Sequence, residues 1–214
     1  MQHRDALIGL LTECVERAEH EPLSLGAVLD RLEQSSFGLV ALVLCLPFMQ
    51  PLTLGPLSGV GGFVLASLGW QMMKGRETPW LPQRIYQIQP GLKTWKTLLG
   101  ICRWLVNLLS KITRVRLTHW TDGRRGMKIS GGLIALGGVL LAIPMPIAPF
   151  NNTLPALAMI FAAVAILERD GLMILVSIFW QVATVAYFTV IFALFFIFGS
   201  EAVNWIQTHL PQWG

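Results

Sequence analysis

Apolar residues in this chain fall in long blocks, not in the short alternations of a half-buried sheet, and two of the blocks resemble each other. The first, GLVALVLCLPFMQPLTLGPLSGVGGFVLASLGWQMMKGR, runs from Gly38 to Arg76, and the second, GLIALGGVLLAIPMPIAPFNNTLPALAMIFAAVAILERDG, from Gly132 to Gly171. Each opens as a short apolar segment, meets Leu-Pro or Ile-Pro, and crosses a loop punctuated by prolines. Each then resumes as an apolar segment that ends in polar or charged residues. Pro47, Pro51 and Pro56 shape the first loop; Pro144, Pro146, Pro149 and Pro155 shape the second. A proline removes one backbone donor and disfavours helix in the residue before it. Paired, interrupted hydrophobic segments point to a binding site in a repeat-built membrane protein.

Segment lengths sharpen this picture. Phe37 to Leu46 supplies about 15 Å of helix at 1.5 Å per residue, half of a hydrocarbon core of about 30 Å, so it cannot span alone. Leu57 to Met73 nearly crosses. Leu172 to Phe198 carries no charge and is the one unambiguous span, with room for tilt. Non-helical backbone cannot face lipid, so the proline loops must be sheltered by protein or line a wet cavity.

Polar positions divide the remainder. Residues 1–35 hold seven acidic and three basic residues. Leu7, Leu10, Leu11, Cys14 and Ala18 share one face of a first amphipathic helix. Ser24 caps a second, with Leu25, Val28, Leu29 and Leu32 spaced by three and four. Residues 36–76 form the first broken repeat, 77–128 a basic cytoplasmic or interfacial segment, and 129–171 the second broken repeat. A transmembrane helix over 172–200 and a tail over 201–214 complete a single membrane domain. From Lys74 to Lys128 there are twelve Lys or Arg against only Glu77 and Asp122, which puts this stretch in the cytoplasm by the positive-inside rule. Leu98, Ile101, Cys102, Leu105, Leu108, Leu109 and Ile112 make an apolar stripe opposite Lys96, Arg103, Asn107 and Lys111. With Trp95, Trp104 and Trp120 nearby, it reads as a helix lying on anionic lipids, and nucleic acid is not needed to explain the charge. The expected fold is an all-α integral membrane protein: two broken-helix repeats, re-entrant or hairpin, one long transmembrane helix, and amphipathic cytoplasmic helices.

Composition agrees. Hydrophobic residues make up 54% and charged residues 13% of the chain, where a soluble domain carries about one quarter charged. The N-terminus interleaves charges with apolar residues and lacks the apolar core of a secretory signal. Cys14, Cys45 and Cys102 are scattered and imply neither a disulfide framework nor a metal site. His3, His20, His119 and His209 are isolated. No nucleophile elbow, phosphate loop or zincin motif occurs, so no cofactor, metal or catalytic residue is assigned.

Candidate chemistry therefore sits at the breaks. Gln50 and Thr53 from one loop, with Asn151, Asn152 and Thr153 from the other, supply neutral donors and acceptors at membrane depth. A helix restarting after Pro56 or Pro155 aims free N–H groups and a positive dipole end at the loop, which favours an anion such as the phosphate of a lipid-linked sugar. The same residues could instead only satisfy freed backbone. A second candidate is Glu168-Arg169-Asp170, which ends the second repeat where Gln71 and Arg76 end the first. A carboxylate in hydrocarbon costs about 2.5–3.5 kcal/mol and is kept mainly for a proton or ion path. The competing readings are an interfacial turn at Gly171 and an ion pair across the repeats.

The run SLGAVLDRLEQSSFGLVALVLCLPFMQPL, the Gly-Pro of LGPL, the block GWQMMKGRETPWLP, and IPMPIAPFNNTLPALA followed by ILERDG resemble the bacterial ExoD-like exopolysaccharide synthesis family over roughly residues 5–200. The resemblance implies an inner-membrane protein linked to exopolysaccharide production and brings no catalytic residues with it. Two functions are consistent with the residues: moving an ion, small solute or lipid-linked envelope precursor through a site where the breaks meet, or a non-transporting scaffold or regulator of the exopolysaccharide machinery. A second copy of the chain could be needed to enclose a path. An intramembrane transferase stays open as a lesser alternative.

Overall fold

The protein is described by a computed structural model covering residues 34–50, 55–80, 83–87, 113–145 and 148–209, with isolated positions within 9–30 and 89–100; side chains are described as far as Ile197. Of the expected amphipathic helices over 1–35 and the interfacial helix over 98–112, only isolated helical positions are described, and Ser24 Oγ accepts from the Ala27 N–H at 3.3 Å as the expected cap. Pro51, Thr53 and Pro146 lie outside the described residues. Among the described residues the chain is helical without a named strand: α1 (Gln34–Cys45), continued by a 3-10 turn (Leu46–Met49), α2 (Pro56–Met73), a short α3 (Gln83–Tyr86), a 3-10 turn (Thr118–Trp120), α4 (Gly123–Ala142), α5 (Thr153–Glu168) and α6 (Gly171–His209).

Local sequence explains the boundaries. Gly55, at φ 55° and ψ −128°, turns the chain as few other residues could, and Pro56 starts α2 where a missing N–H costs nothing. At its other end Gly75, with φ 74°, donates to the Met72 carbonyl at 2.9 Å while Arg76 donates to that of Gln71 at 3.3 Å, the paired bonds of a Schellman cap. Helix α5 is apolar on every side, and Ala162, Ala163, Val164 and Ala165 are fully buried. A helix of that kind belongs at the centre, and α1, α4 and α6 pack around it.

Small residues set the closest contact. A Cβ on Gly62 would lie 2.5 Å from the Gly138 carbonyl oxygen, and one on Gly69 2.4 Å from that of Gly131. Helices α2 and α4 thus run antiparallel with their backbones touching, the arrangement that small residues permit where water does not drive association. Gly62, Gly131 and Gly138 make these close contacts, while Gly61 receives the Phe48 ring. Gly38 lies against Ala163 and Leu167 while Gln50 is bonded to Thr153, so α1 is antiparallel to α5, and Gly137 lies against Met159 while Met145 is bonded to Asn151, so α4 is antiparallel to α5. Ser177 on α6 donates to the Ala158 carbonyl at 2.7 Å. These pairings gather helix termini at two ends. One collects the start of α1, the end of α2, the start of α4, and the α5–α6 turn; the other collects both proline loops.

Helices Gly123–Ala142 and Gly171–Ile197 are each long and apolar enough to cross a membrane. Only the second was expected as an unambiguous span. Helix α4 begins nine residues before the repeated block, because Arg124, Arg125 and Lys128 sit in its first turns; its proline break consequently follows 20 helical residues. Apolar side chains face outward along α2 and α6, with Phe63 72% and Phe196 77% exposed. Apolar exposure on this scale is uncommon on a water-soluble monomer.

Candidate functional site

The two proline loops meet at one end of the bundle. Thr153, in the first turn of α5, donates its hydroxyl to the Gln50 carbonyl at 3.0 Å, joining loops more than a hundred residues apart in sequence. Asn151 donates its amide Nδ2 to the Met145 carbonyl at 3.0 Å. The Tyr187 hydroxyl on α6 donates to the Pro149 carbonyl and ties the long helix to the second loop. Phe150, at φ 61°, turns the chain into the Asn pair. Gln50, Pro47, Pro144 and Pro149 are exposed, whereas Pro155 is buried near the start of α5.

Between the loops is a cavity of about 450 Å³. Gly55, Pro56, Ser58 and Gly59 form one wall, at the start of α2; Ala142, Ile143, Pro144, Met145 and Asn151 form the other. Of the break residues singled out from sequence, Asn151, Pro56 and Pro144 line it. Ser58 was not anticipated, although a Ser two positions after an N-terminal proline is a recognisable first-turn polar group. Among the described residues the lining contains no charged side chain.

Three polar atoms around the start of α5 have no partner, and of their two residues Asn151 is the one that lines the cavity. Asn151 is 6% and Asn152 1% exposed, yet Asn151 Oδ1 and both amide atoms of Asn152 make no hydrogen bond. Asn152 stands at the N-cap position of α5, but its backbone is in the right-handed helical region and its side chain does not cap. Burying an unpaired amide costs roughly 1–3 kcal/mol, so such groups mark places where something else supplies the partner. Ser130 Oγ on α4 and Gln181 Oε1 on α6 are also unpaired, and Gln181 Nε2 reaches the Leu133 carbonyl at 3.5 Å. Periodicity gave no reason to single these two out.

The charged triplet lies at the opposite end and is internally satisfied. Asp170 is fully buried and accepts from the Arg114 backbone N–H at 3.0 Å, from Arg116 Nε at 3.1 Å, and, as the N-cap of α6, from the Leu172 N–H at 3.0 Å. The Gly171 N–H donates to the Arg116 carbonyl at 2.8 Å. Glu168 accepts from the Thr113 hydroxyl at 3.4 Å, and exposed Arg169 occupies the left-handed region at φ 50°. The partner of Asp170 is thus Arg116, not the first repeat: Gln71 accepts instead from the Trp80 N–H at 2.6 Å, and Arg76 is exposed. Among the described residues no group of His, Cys, Asp and Glu could hold a metal.

The family model described as "Exopolysaccharide synthesis, ExoD" matches residues 7–190. Protein ExoD of Rhizobium meliloti (strain 1021) is 31% identical over 186 residues, covering 87% of this chain and 77% of the relative. An uncharacterized protein of Synechocystis sp. (strain ATCC 27184 / PCC 6803 / Kazusa) is 30% identical over 154 residues, 70% of this chain and 69% of its own length. No solved structure matches the chain.

Proposed function

This chain belongs to the ExoD exopolysaccharide synthesis family, and from that premise we propose that it is a multi-pass protein of the bacterial inner membrane that handles an envelope precursor where its proline loops meet. The observation carrying this reading is the convergence of both loops on one cavity, braced by the bond from Thr153 to Gln50. Two apolar helices of spanning length and the outward-facing side chains of α2 and α6 support membrane embedding. Lys74, Arg76, Arg124, Arg125 and Lys128 near the other end support a cytoplasmic placement there, against anionic lipids. The proline loops then face away from the cytoplasm.

A scaffold or regulator of the exopolysaccharide machinery is the second reading, favoured by the predominantly apolar lining and by Asn151 and Thr153 each satisfying a loop carbonyl. Single cysteines at positions 50, 59 and 144, in a chain freed of Cys14, Cys45 and Cys102, separate the two. Handling a precursor requires that a membrane-impermeant thiol reagent reach them from the non-cytoplasmic side while a cysteine at position 76 reacts from the cytoplasm. Inert positions 59 and 144, with position 76 reacting normally, would leave the scaffold.

A further inference from the structure

We infer that the cavity binds an uncharged, hydroxyl-bearing group, a sugar ring in preference to a phosphate, and that Asn151 is its recognition residue. This rests on the preceding reading that the cavity is used and specifies what it takes. Charge argues against a phosphate. A phosphate needs cations or several free N–H donors in convergent positions, and among the described residues no Lys or Arg lines the walls. The start of α2 is a poor substitute: Pro56 has no N–H, and the Ser58 N–H already donates to the Gly55 carbonyl at 3.1 Å.

The orphaned atom on the wall describes the complementary ligand. Asn151 Oδ1 is an acceptor without a donor. A sugar hydroxyl can donate to it, whereas a phosphate dianion offers only acceptors and would leave it unpaired. Asn151 is more than nine-tenths buried and belongs to the cavity wall itself. The other walls, Pro56, Ile143, Pro144 and Met145, present carbon, which suits the apolar face of a pyranose. A mostly apolar pocket of this size with a few placed polar groups is the usual form of a small-molecule site.

Gly59 offers the reporter. It lines the cavity, and a Cβ added there meets nothing within 4 Å. In the Cys-free chain carrying Gly59→Cys, reconstituted in lipid nanodiscs, the rate of thiol labelling is measured with n-octyl glucoside, n-octyl phosphate, octanol or free glucose added. Octyl glucoside should slow labelling saturably, by about tenfold at about ten times its Kd, while octyl phosphate and octanol should not. Protection by free glucose as well would mean that a soluble sugar suffices; protection by the glucoside alone assigns a lipid-linked one. Replacing Asn151 by Leu should abolish the protection, and Asn151→Gln should retain part of it. Protection by octyl phosphate and not by the glucoside, or unchanged protection in the Leu variant, overturns the chemistry and leaves the site. Labelling that no added compound slows overturns the sugar assignment, and a cysteine that never labels removes the accessible cavity as well.

Discussion

The two ends of the bundle handle polar groups in opposite ways. At the basic end a buried carboxylate is surrounded: Asp170 meets two backbone donors and one guanidinium, and the α5–α6 turn is closed around it. At the loop end three amide atoms are buried and meet nothing. Both arrangements cost desolvation energy, but only the first recovers it within the chain. A charge with all its partners present is the mark of construction. An amide without them, beside a cavity, is the mark of a place held for something else.

The sharpest test of this contrast is Asp170→Ala. It removes the acceptor of three donors and unties residues 114–116 from α6, with an expected loss of about 3 kcal/mol, the lower part of the range for breaking a buried pair because Arg116 is 41% exposed. Thermal unfolding in nanodiscs would report it. A loss below 1 kcal/mol would mean that the basic end is not held by this carboxylate.

The middle of the bundle should respond next. In Gly138→Ala the new methyl carbon would come 2.4 Å from the Ala66 nitrogen and 2.7 Å from the Gly62 carbonyl, and neither backbone can yield cheaply. A loss of about 1–3 kcal/mol is expected, with the cavity widened because α2 and α4 each carry one of its walls; faster labelling at position 59 would register the widening. Gly55→Ala is expected to cost a similar or smaller amount, about 1–2 kcal/mol, from backbone strain alone, since an added Cβ there touches nothing. A neutral result in an unfolding titration would show that the loop can relax.

Smallest is Thr153→Val, which deletes the bond to Gln50 and should cost about 1 kcal/mol. If the two loops are braced by that bond, exopolysaccharide output should fall in cells carrying the variant at normal protein levels. Unchanged output would make the bond incidental.

Much of this organisation was legible in the sequence. Proline breaks an apolar run wherever it occurs, so the two loops and the helices beside them could be located without a structure, and the neutral polar residues at Asn151–Thr153 stood out against apolar surroundings. The extent of α4 was not legible, because three basic residues in its first turns look like loop when only hydropathy is read. The partner of Asp170 was hidden for a different reason. Arg116 is 54 positions away, and their pairing depends on a short parallel bridge that leaves no periodic trace. Ser58 and Gln181 were passed over because a lone polar residue in an apolar helix gives no hint of which face it occupies.

Helix α6 also works as a depth gauge. With Gly171 at one interface, Tyr187 stands about 24 Å along the axis at 1.5 Å per residue, and through its bond to Pro149 it marks the level of the second loop. A hydrocarbon core of about 30 Å would continue about 6 Å further, while α6 itself runs on to His209. In the proposed membrane placement, with α6 upright, the loops would then stop short of the far surface and leave a hollow above them. A molecule tethered to lipid can descend into that hollow without leaving its leaflet, and lengthening the acyl chains of the membrane should make the descent harder.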